Sequence, residues 1–384
     1  MLKLSNISDI PVFRVLDLLQ QVNVRRAEGH DIINMAPGQP ADGAPQAALD
    51  YGADLLKSGG FMGYTEAIGI PKLRQRISDW YTEYYGLDIP KERIIITIGA
   101  SGAFLFSFLS MFEPGDKIAL AAPGYPAYRN ILTSCNLTPV EIETTVQTDY
   151  QPTIAHLEEL EEIPDGLLIA SPSNPTGTIL SPEQIEELCA WCRAKGVRLI
   201  ADELYHGIIF GGEKADSVLR YCKDVVAINS FSKYFAMTGW RLGWMVVPEN
   251  VTQRVKCLAE SLFVAPPTLA QEIALKTFDH TDVLDSYVAR YEENLNILKR
   301  ELPKAGITNL SDTKGAFYLY ADISNITDNS ETWANNLLEA EGVAVTPGTD
   351  FDLTRGHQTI RISFAGSPDE IEEACRRIQR FMAA

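Results

Sequence analysis

The chain has 384 residues, 46% hydrophobic and 22% charged, which excludes a disordered polypeptide and suggests about two folded domains. Its 33 Lys and Arg against 51 Asp and Glu leave a net charge of −18, which argues against general binding to nucleic acid or anionic membranes. No apolar run approaches the roughly 18 residues of a membrane span, the start Met1-Leu2-Lys3-Leu4-Ser5-Asn6 meets Asp9 and Pro11 before a secretory segment could form, and the scattered cysteines (Cys135, Cys189, Cys192, Cys222, Cys257, Cys375) fit reduced thiols, so the expected compartment is the cytoplasm.

In chain order, Val12 to Glu28 reads as one helical stretch without a core of its own. Arg93 to Ile98 reads as a strand, followed by an apolar helix from Gly102 to Phe112, a turn at Pro114-Gly115-Asp116 and a strand from Lys117 to Ala121. Gly166 to Ala170 is a further strand, and Pro182 to Lys195 an amphipathic helix with Ser181 as N-cap and Gly196 as stop. Val197 to Ala201 and Val225 to Asn229 complete a set of strands that are nearly all apolar, hence buried on both faces, and that alternate with helices. This pattern predicts an α/β fold, a mainly parallel sheet covered by helices. A long helical pattern spans Leu269 to Leu302. Strands at Gly315–Tyr320, Val343–Pro347 and Thr359–Ser363 and helices near Ser330–Glu341 and Pro368–Ala383 then predict a smaller α+β unit. The expected division is a large domain over 36–282 and a discontinuous small domain from 1–35 and 283–384.

Ligands of open parallel sheets bind outside the carboxyl ends of the strands, so the residues that follow each strand carry the chemistry. Gly99-Ala100-Ser101-Gly102-Ala103 places small residues at the start of a helix, where backbone N–H groups suit an anion. Pro123-Gly124-Tyr125-Pro126-Ala127-Tyr128 offers an aromatic ring for stacking. Ser173-Asn174-Pro175 holds an amide on a stiff loop, and Asp202-Glu203-Leu204-Tyr205 puts a carboxylate at the end of a buried strand, which requires a cationic partner. Lys233 and Arg241, eight residues apart, converge on the same edge. Arg361 sits inside an apolar strand, where its planar fork suits a carboxylate.

This inventory fits a phosphorylated aromatic aldehyde held as a Schiff base. With Ser-Asn-Pro-Thr-Gly at 173–177, Asp-Glu-Leu-Tyr at 202–205, and Ser-Phe-Ser-Lys through Gly-Trp-Arg-Leu-Gly-Trp at 230–244, the chain resembles the class I/II pyridoxal-phosphate-dependent aminotransferases of fold type I, the aspartate-aminotransferase-like group. The matching motifs run in the family's order from Gly38 to Arg361. The resemblance implies a pyridoxal 5'-phosphate Schiff base on Lys233, with Asp202 as partner of the ring nitrogen. It implies that Asn174 and Tyr205 bond the phenolic oxygen, that Tyr125 stacks on the ring, and that Ser101, Gly102, Ser230 and Arg241 bind the phosphate. Tyr64 would reach a neighbouring subunit's phosphate, which implies a homodimer with shared active sites. Arg361 would grip the substrate α-carboxylate, with Asn174 and Gly38 also at the substrate. The implied reaction moves an amino group from an L-amino acid to a 2-oxo acid with ping-pong kinetics, and closure of the small domain would exclude water.

The same core residues also serve a C–S β-lyase, which is the alternative chemistry. A regulator of this lineage would carry an appended DNA-binding domain, and the chain begins directly with family sequence. Cys189-Ala190-Trp191-Cys192 has redox spacing but lies within a helix, where packing is the simpler role. The five histidines (His30, His156, His206, His280, His357) show no ligand spacing, so no metal site is expected. The donor and acceptor side chains stay open among dicarboxylic, aromatic, alanine-like and branched-chain classes.

Overall fold

The computed structural model describes residues 4–12, 14–60, 62–212 and 214–384. Met1 to Lys3 and Phe13 of the expected 12–28 helix lie outside the described residues.

The main sheet has seven strands: β1 (Ile94–Thr97), β2 (Lys117–Ala122), β3 (Thr138–Glu143), β4 (Gly166–Ala170), β5 (Arg198–Asp202), β6 (Val226–Ser230) and β7 (Gly243–Val246). Their spatial order is β1-β7-β6-β5-β4-β2-β3. β7 runs antiparallel to both of its neighbours, and the remaining pairs are parallel. Successive side chains of a strand point to opposite faces, and here both faces are covered. Leu199, Ala201 and Ala227 join one cluster with Ile77, Trp80, Leu188 and Ala274, while Ile200, Val226 and Ile228 join another with Phe104, Phe108, Leu132 and Val255. Helices Pro71–Tyr85, Pro182–Lys195 and Thr268–Thr277 supply the first layer, and Gly99–Met111, Pro126–Ser134 and Glu249–Leu262 the second. The chain is thus an α/β protein with a mainly parallel sheet between helical layers.

A second, antiparallel sheet has the order Thr346–Pro347, Thr359–Ser363, Tyr318–Asp322, Asn309–Leu310. Helices Thr281–Glu301, Ser330–Glu341 and Pro368–Ala383 share its core. Ile33–Asn34 pairs in parallel with Val343–Ala344, which ties an N-terminal segment to the last quarter of the chain. Helix Arg14–Ala27 buries Val22 among Ile32, Ala36, Leu338 and Ala344, and Val15 beside Tyr320 and Phe351.

Several expectations need correction. The pattern over 269–302 is not one helix: a 3₁₀ turn at Phe278–His280 separates Thr268–Thr277 from Thr281–Glu301. Val343–Pro347 is not one strand, because its two halves belong to different sheets. The strand expected at Gly315–Tyr320 forms at Tyr318–Asp322, and Gly315 makes an isolated bridge with Ile209. Cys189 and Cys192 lie buried in helix Pro182–Lys195 as free thiols. Among the described residues, no helix is long and apolar enough to cross a membrane, and no group of His, Cys, Asp and Glu could hold a metal ion.

Candidate active site

The carboxyl ends of β4, β5 and β6, the start of helix Gly99–Met111 and the strand carrying Arg361 enclose a cavity of about 420 Å³. Ten of the side chains or glycines singled out above line it: Gly38, Ser101, Tyr125, Asn174, Asp202, Tyr205, Ser230, Lys233, Arg241 and Arg361. Gly102 is buried one position further along the helix and does not line it. Tyr64 lies outside it, 86% exposed.

Asp202 is the last residue of β5 and is buried. Burial raises its pKa to about 6, opposed by donation from the Tyr128 hydroxyl to Oδ2, by the Leu204 N–H on Oδ1 at 3.2 Å, and by the charge of Lys233. Lys233 follows β6 by three residues, and its Nζ donates to the Gly38 carbonyl. Burial, with repulsion from Arg361 and Arg241 outweighing attraction to Asp202, lowers its pKa to about 8. A substantial fraction of this amine is therefore neutral, and nucleophilic, near physiological pH.

Arg361 is buried in the strand Thr359–Ser363. Its Nη1 donates to Asn174 Oδ1 at 3.0 Å and its Nη2 to the Ala36 carbonyl at 2.5 Å, and its Nε has no partner. The guanidinium lies over the ring of Tyr318, 4.5 Å from the centroid, and 4.7 Å from that of Phe351. The guanidinium of Arg361 lines the cavity as a fixed cation, and its planar fork suits a carboxylate. With its Oδ1 engaged, Asn174 presents the amide nitrogen as its remaining polar end. The Tyr205 hydroxyl lies 2.9 Å from that of Tyr318.

At the opposite end, Gly99 opens its helix with φ of +64°, and a Cβ there would fall 2.5 Å from Arg241 Nη2. Absence of a side chain lets the guanidinium cross the helix start. Arg241 is anchored by Nη1 on the Thr238 carbonyl at 3.0 Å, and Ser101, Ser230 and Ser232 add hydroxyls to this wall of the cavity. A helix start, hydroxyls and a guanidinium suit a phosphate; an amine and a carboxylate in the same cavity suit an aldehyde and a ring nitrogen. The residues present fit pyridoxal phosphate.

The sequence gives no site role to Tyr128 or Tyr318, nor a place at the cavity to the expected 12–28 helix, which forms at Arg14–Ala27 and brings Val15, Leu16 and Leu19 there. Tyr128 had a usable signal, since it lies three residues beyond Tyr125 and one turn along the helix that begins at Pro126.

The sequence profile described as aminotransferase class I and II matches residues 30–378. The valine–pyruvate aminotransferase of Mycobacterium tuberculosis is 42% identical over 372 residues, covering 96% of each chain. An aspartate aminotransferase of Sulfurisphaera tokodaii is 31% identical, covering 94% of this chain and 92% of its own. Among solved structures, an aminotransferase from Mycobacterium tuberculosis superposes with a TM-score of 0.97 at 41% identity over 100% of both chains. The aspartate aminotransferase of Thermus thermophilus with maleate gives 0.92 at 26% identity, over 99% of this chain and 100% of that one. A lysine and an arginine brought to one cavity with a buried aspartate, in a chain matched along nearly its whole length, place it: the protein belongs to the class I and II aminotransferases, enzymes that move an amino group from an amino acid to a 2-oxo acid.

Proposed function

We propose that this aminotransferase works with pyridoxal 5'-phosphate attached to Lys233, in two half-reactions of a ping-pong cycle, as a homodimer in the cytoplasm. The observation that carries the reading is Lys233 itself, a half-buried amine brought to about 8 between Asp202 and Arg361 in a single cavity. When bound, the cofactor supplies a conjugated sink for the electrons left when the amino acid loses its α-proton.

The chain's own groups do the rest. The Lys233 amine, once displaced by the substrate, accepts the proton from Cα and returns it on the other side of the transfer. Asp202, buried at the end of β5, holds the proton of the ring nitrogen in place. The Asn174 amide nitrogen and the Tyr205 hydroxyl donate to the phenolic oxygen, and Tyr125 covers the ring. Ser101, Ser230 and Arg241 bind the phosphate, joined by Tyr64 of a second subunit. Arg361, which lines the cavity, takes the substrate α-carboxylate. Gly38 borders the substrate: a Cβ there would meet the Tyr318 hydroxyl at 2.6 Å, so only glycine leaves that approach open. Division into 36–282 and 1–35 with 283–384 would let Gly38 and Arg361 close over the substrate and exclude water. Location in the cytoplasm is supported by six free thiols. Valine and pyruvate are the first pair to test, from the name of the relative at 42% identity.

Borohydride reduction of the protein saturated with pyridoxal phosphate, followed by peptide mapping, tests the attachment. The expected label is on Lys233, and Lys233→Ala is expected to lose both label and turnover by several orders of magnitude. A label elsewhere, or a colourless saturated protein, overturns the reading.

A further inference from the structure

One side of the cavity is left unused by the roles above. Val15, Leu16 and Leu19 from helix Arg14–Ala27 and Ile131 from helix Pro126–Ser134 line it. Spacings of three and four residues put Leu16 and Val15 on the same helical face as Leu19. Among the described residues, the cations that line the cavity are Lys233, Arg241 and Arg361, and each already has a task. The cations around this side are engaged elsewhere: Arg129 with Glu141 at 2.6 Å and with the Asp350 carbonyl, Arg355 with Asp352 at 2.9 Å, and Arg14 with Glu331.

This apolar face is tied to the carboxylate grip. Asp350 Oδ2 accepts from the Val15 N–H at 3.0 Å, which satisfies a donor that the first helical turn leaves without an intrahelical partner. Asp350 ends a short turn, Gly348–Asp350, that follows Thr346–Pro347, and Thr346 is the register partner of Arg361. The next residue, Phe351, packs on Val15 and lies against the Arg361 guanidinium. The helix and the arginine are therefore parts of one packed unit. An amino acid with its carboxylate at Arg361 and its amino group toward Lys233 has its side chain left to place, and these aliphatic residues are lining to which no role is given above.

We propose that Leu16, Leu19 and Ile131 receive the substrate's side chain and restrict the donor and acceptor to those with aliphatic side chains. The proposal rests on the assignment of Arg361 and Lys233 made above. A second carboxylate placed here would lose its hydration without gaining a cation from the described residues of this subunit, whereas each methylene buried on such a surface is worth about tenfold or more in discrimination.

The test uses the enzyme loaded with pyridoxal phosphate, with valine, alanine and aspartate as donors to pyruvate. Alongside it, calorimetry measures binding of 3-methylbutanoate and succinate, which are valine and aspartate without their amino groups. Valine is expected to exceed aspartate in kcat/KM by about tenfold or more, and 3-methylbutanoate to bind more tightly than succinate. Leu16→Ala and Leu19→Ala, at positions outside the buried core, are expected to lower the valine-to-alanine ratio of kcat/KM about tenfold and to erode the preference for 3-methylbutanoate. Preference for aspartate, or variants that leave both the ratio and the binding preference unchanged, would overturn the proposal. Absence of turnover with every donor, while 3-methylbutanoate still binds in a Leu19-dependent way, would sink the proposed reaction and leave the aliphatic surface standing.

Discussion

Asp202 and Lys233 lie on adjacent strand ends, and their surroundings push both toward neutrality. In the proposed mechanism the shift is useful for Lys233, whose neutral amine is the nucleophile. For Asp202 it would be a liability there, because a partner for a protonated ring nitrogen has to be charged at working pH. Tyr128 answers this by donating its hydroxyl to Oδ2, a bond that lowers the carboxyl pKa against the burial that lifts it to about 6. Tyr128→Phe removes that donor and keeps the ring. The acid limb of the kcat/KM profile, where Asp202 becomes protonated as pH falls, is then expected to move upward by roughly one pH unit, since hydrogen bonds to charged groups are among the stronger ones. A Tyr128→Phe profile from pH 5 to 9 that superposes on the wild-type acid limb would mean that Tyr128 acts on packing alone.

At the scale of elements, the turn from β1 into helix Gly99–Met111 shows how little room the anion end leaves. Gly99→Ala meets two penalties: a left-handed backbone that costs a residue with a Cβ about 1–2 kcal/mol, and displacement of Arg241. The variant is expected to fold with a lowered melting temperature and to dissociate pyridoxal phosphate more readily, by a larger factor than it loses stability, as measured by absorbance titration. Unchanged cofactor affinity would show that Arg241 has another binding position. Elements with strong local signals were legible without the structure. Helix Pro182–Lys195 has the expected Ser181 cap, with Ser181 and Gln184 bonded reciprocally, and ends at Gly196. β1, β2, β4, β5 and β6 lie within a residue or so of the apolar runs that announced them. β7 was not legible, because four residues buried on both faces show no alternation. Helices Gln46–Lys57, Pro71–Tyr85, Pro126–Ser134 and Glu249–Leu262 carry no such signal, and all four follow or begin with a proline rather than a side-chain cap.

For the molecule as a whole, the parts of the site that each follow a strand were visible as motifs, whereas the contacts made by distant segments were not. The Val15–Asp350 bond spans 335 positions and the Tyr205–Tyr318 pair 113, and no local pattern encodes either. Tyr64 raises the same question across two chains. Its flanking residues are fixed on their own subunit, Gly63 by the Thr268 hydroxyl on its carbonyl at 2.6 Å and Thr65 by Gln271 at 3.1 Å, yet the ring between them projects outward, 86% exposed. Such exposure leaves the ring free to meet a second subunit. If it meets that subunit's phosphate site, Lys233→Ala and Tyr64→Ala impair different halves of each shared site. A heterodimer of the two variants, co-expressed with different tags and purified through both, then contains one site with Lys233 and Tyr64 intact and one site lacking both. Its turnover is expected to reach about half that of the wild-type dimer, since a two-fold assembly has two equivalent sites, while each variant alone stays far below. Heterodimers no more active than the mean of the two parental proteins would place Tyr64 outside the site, and a monomeric mass by light scattering in the active preparation would remove the shared site altogether.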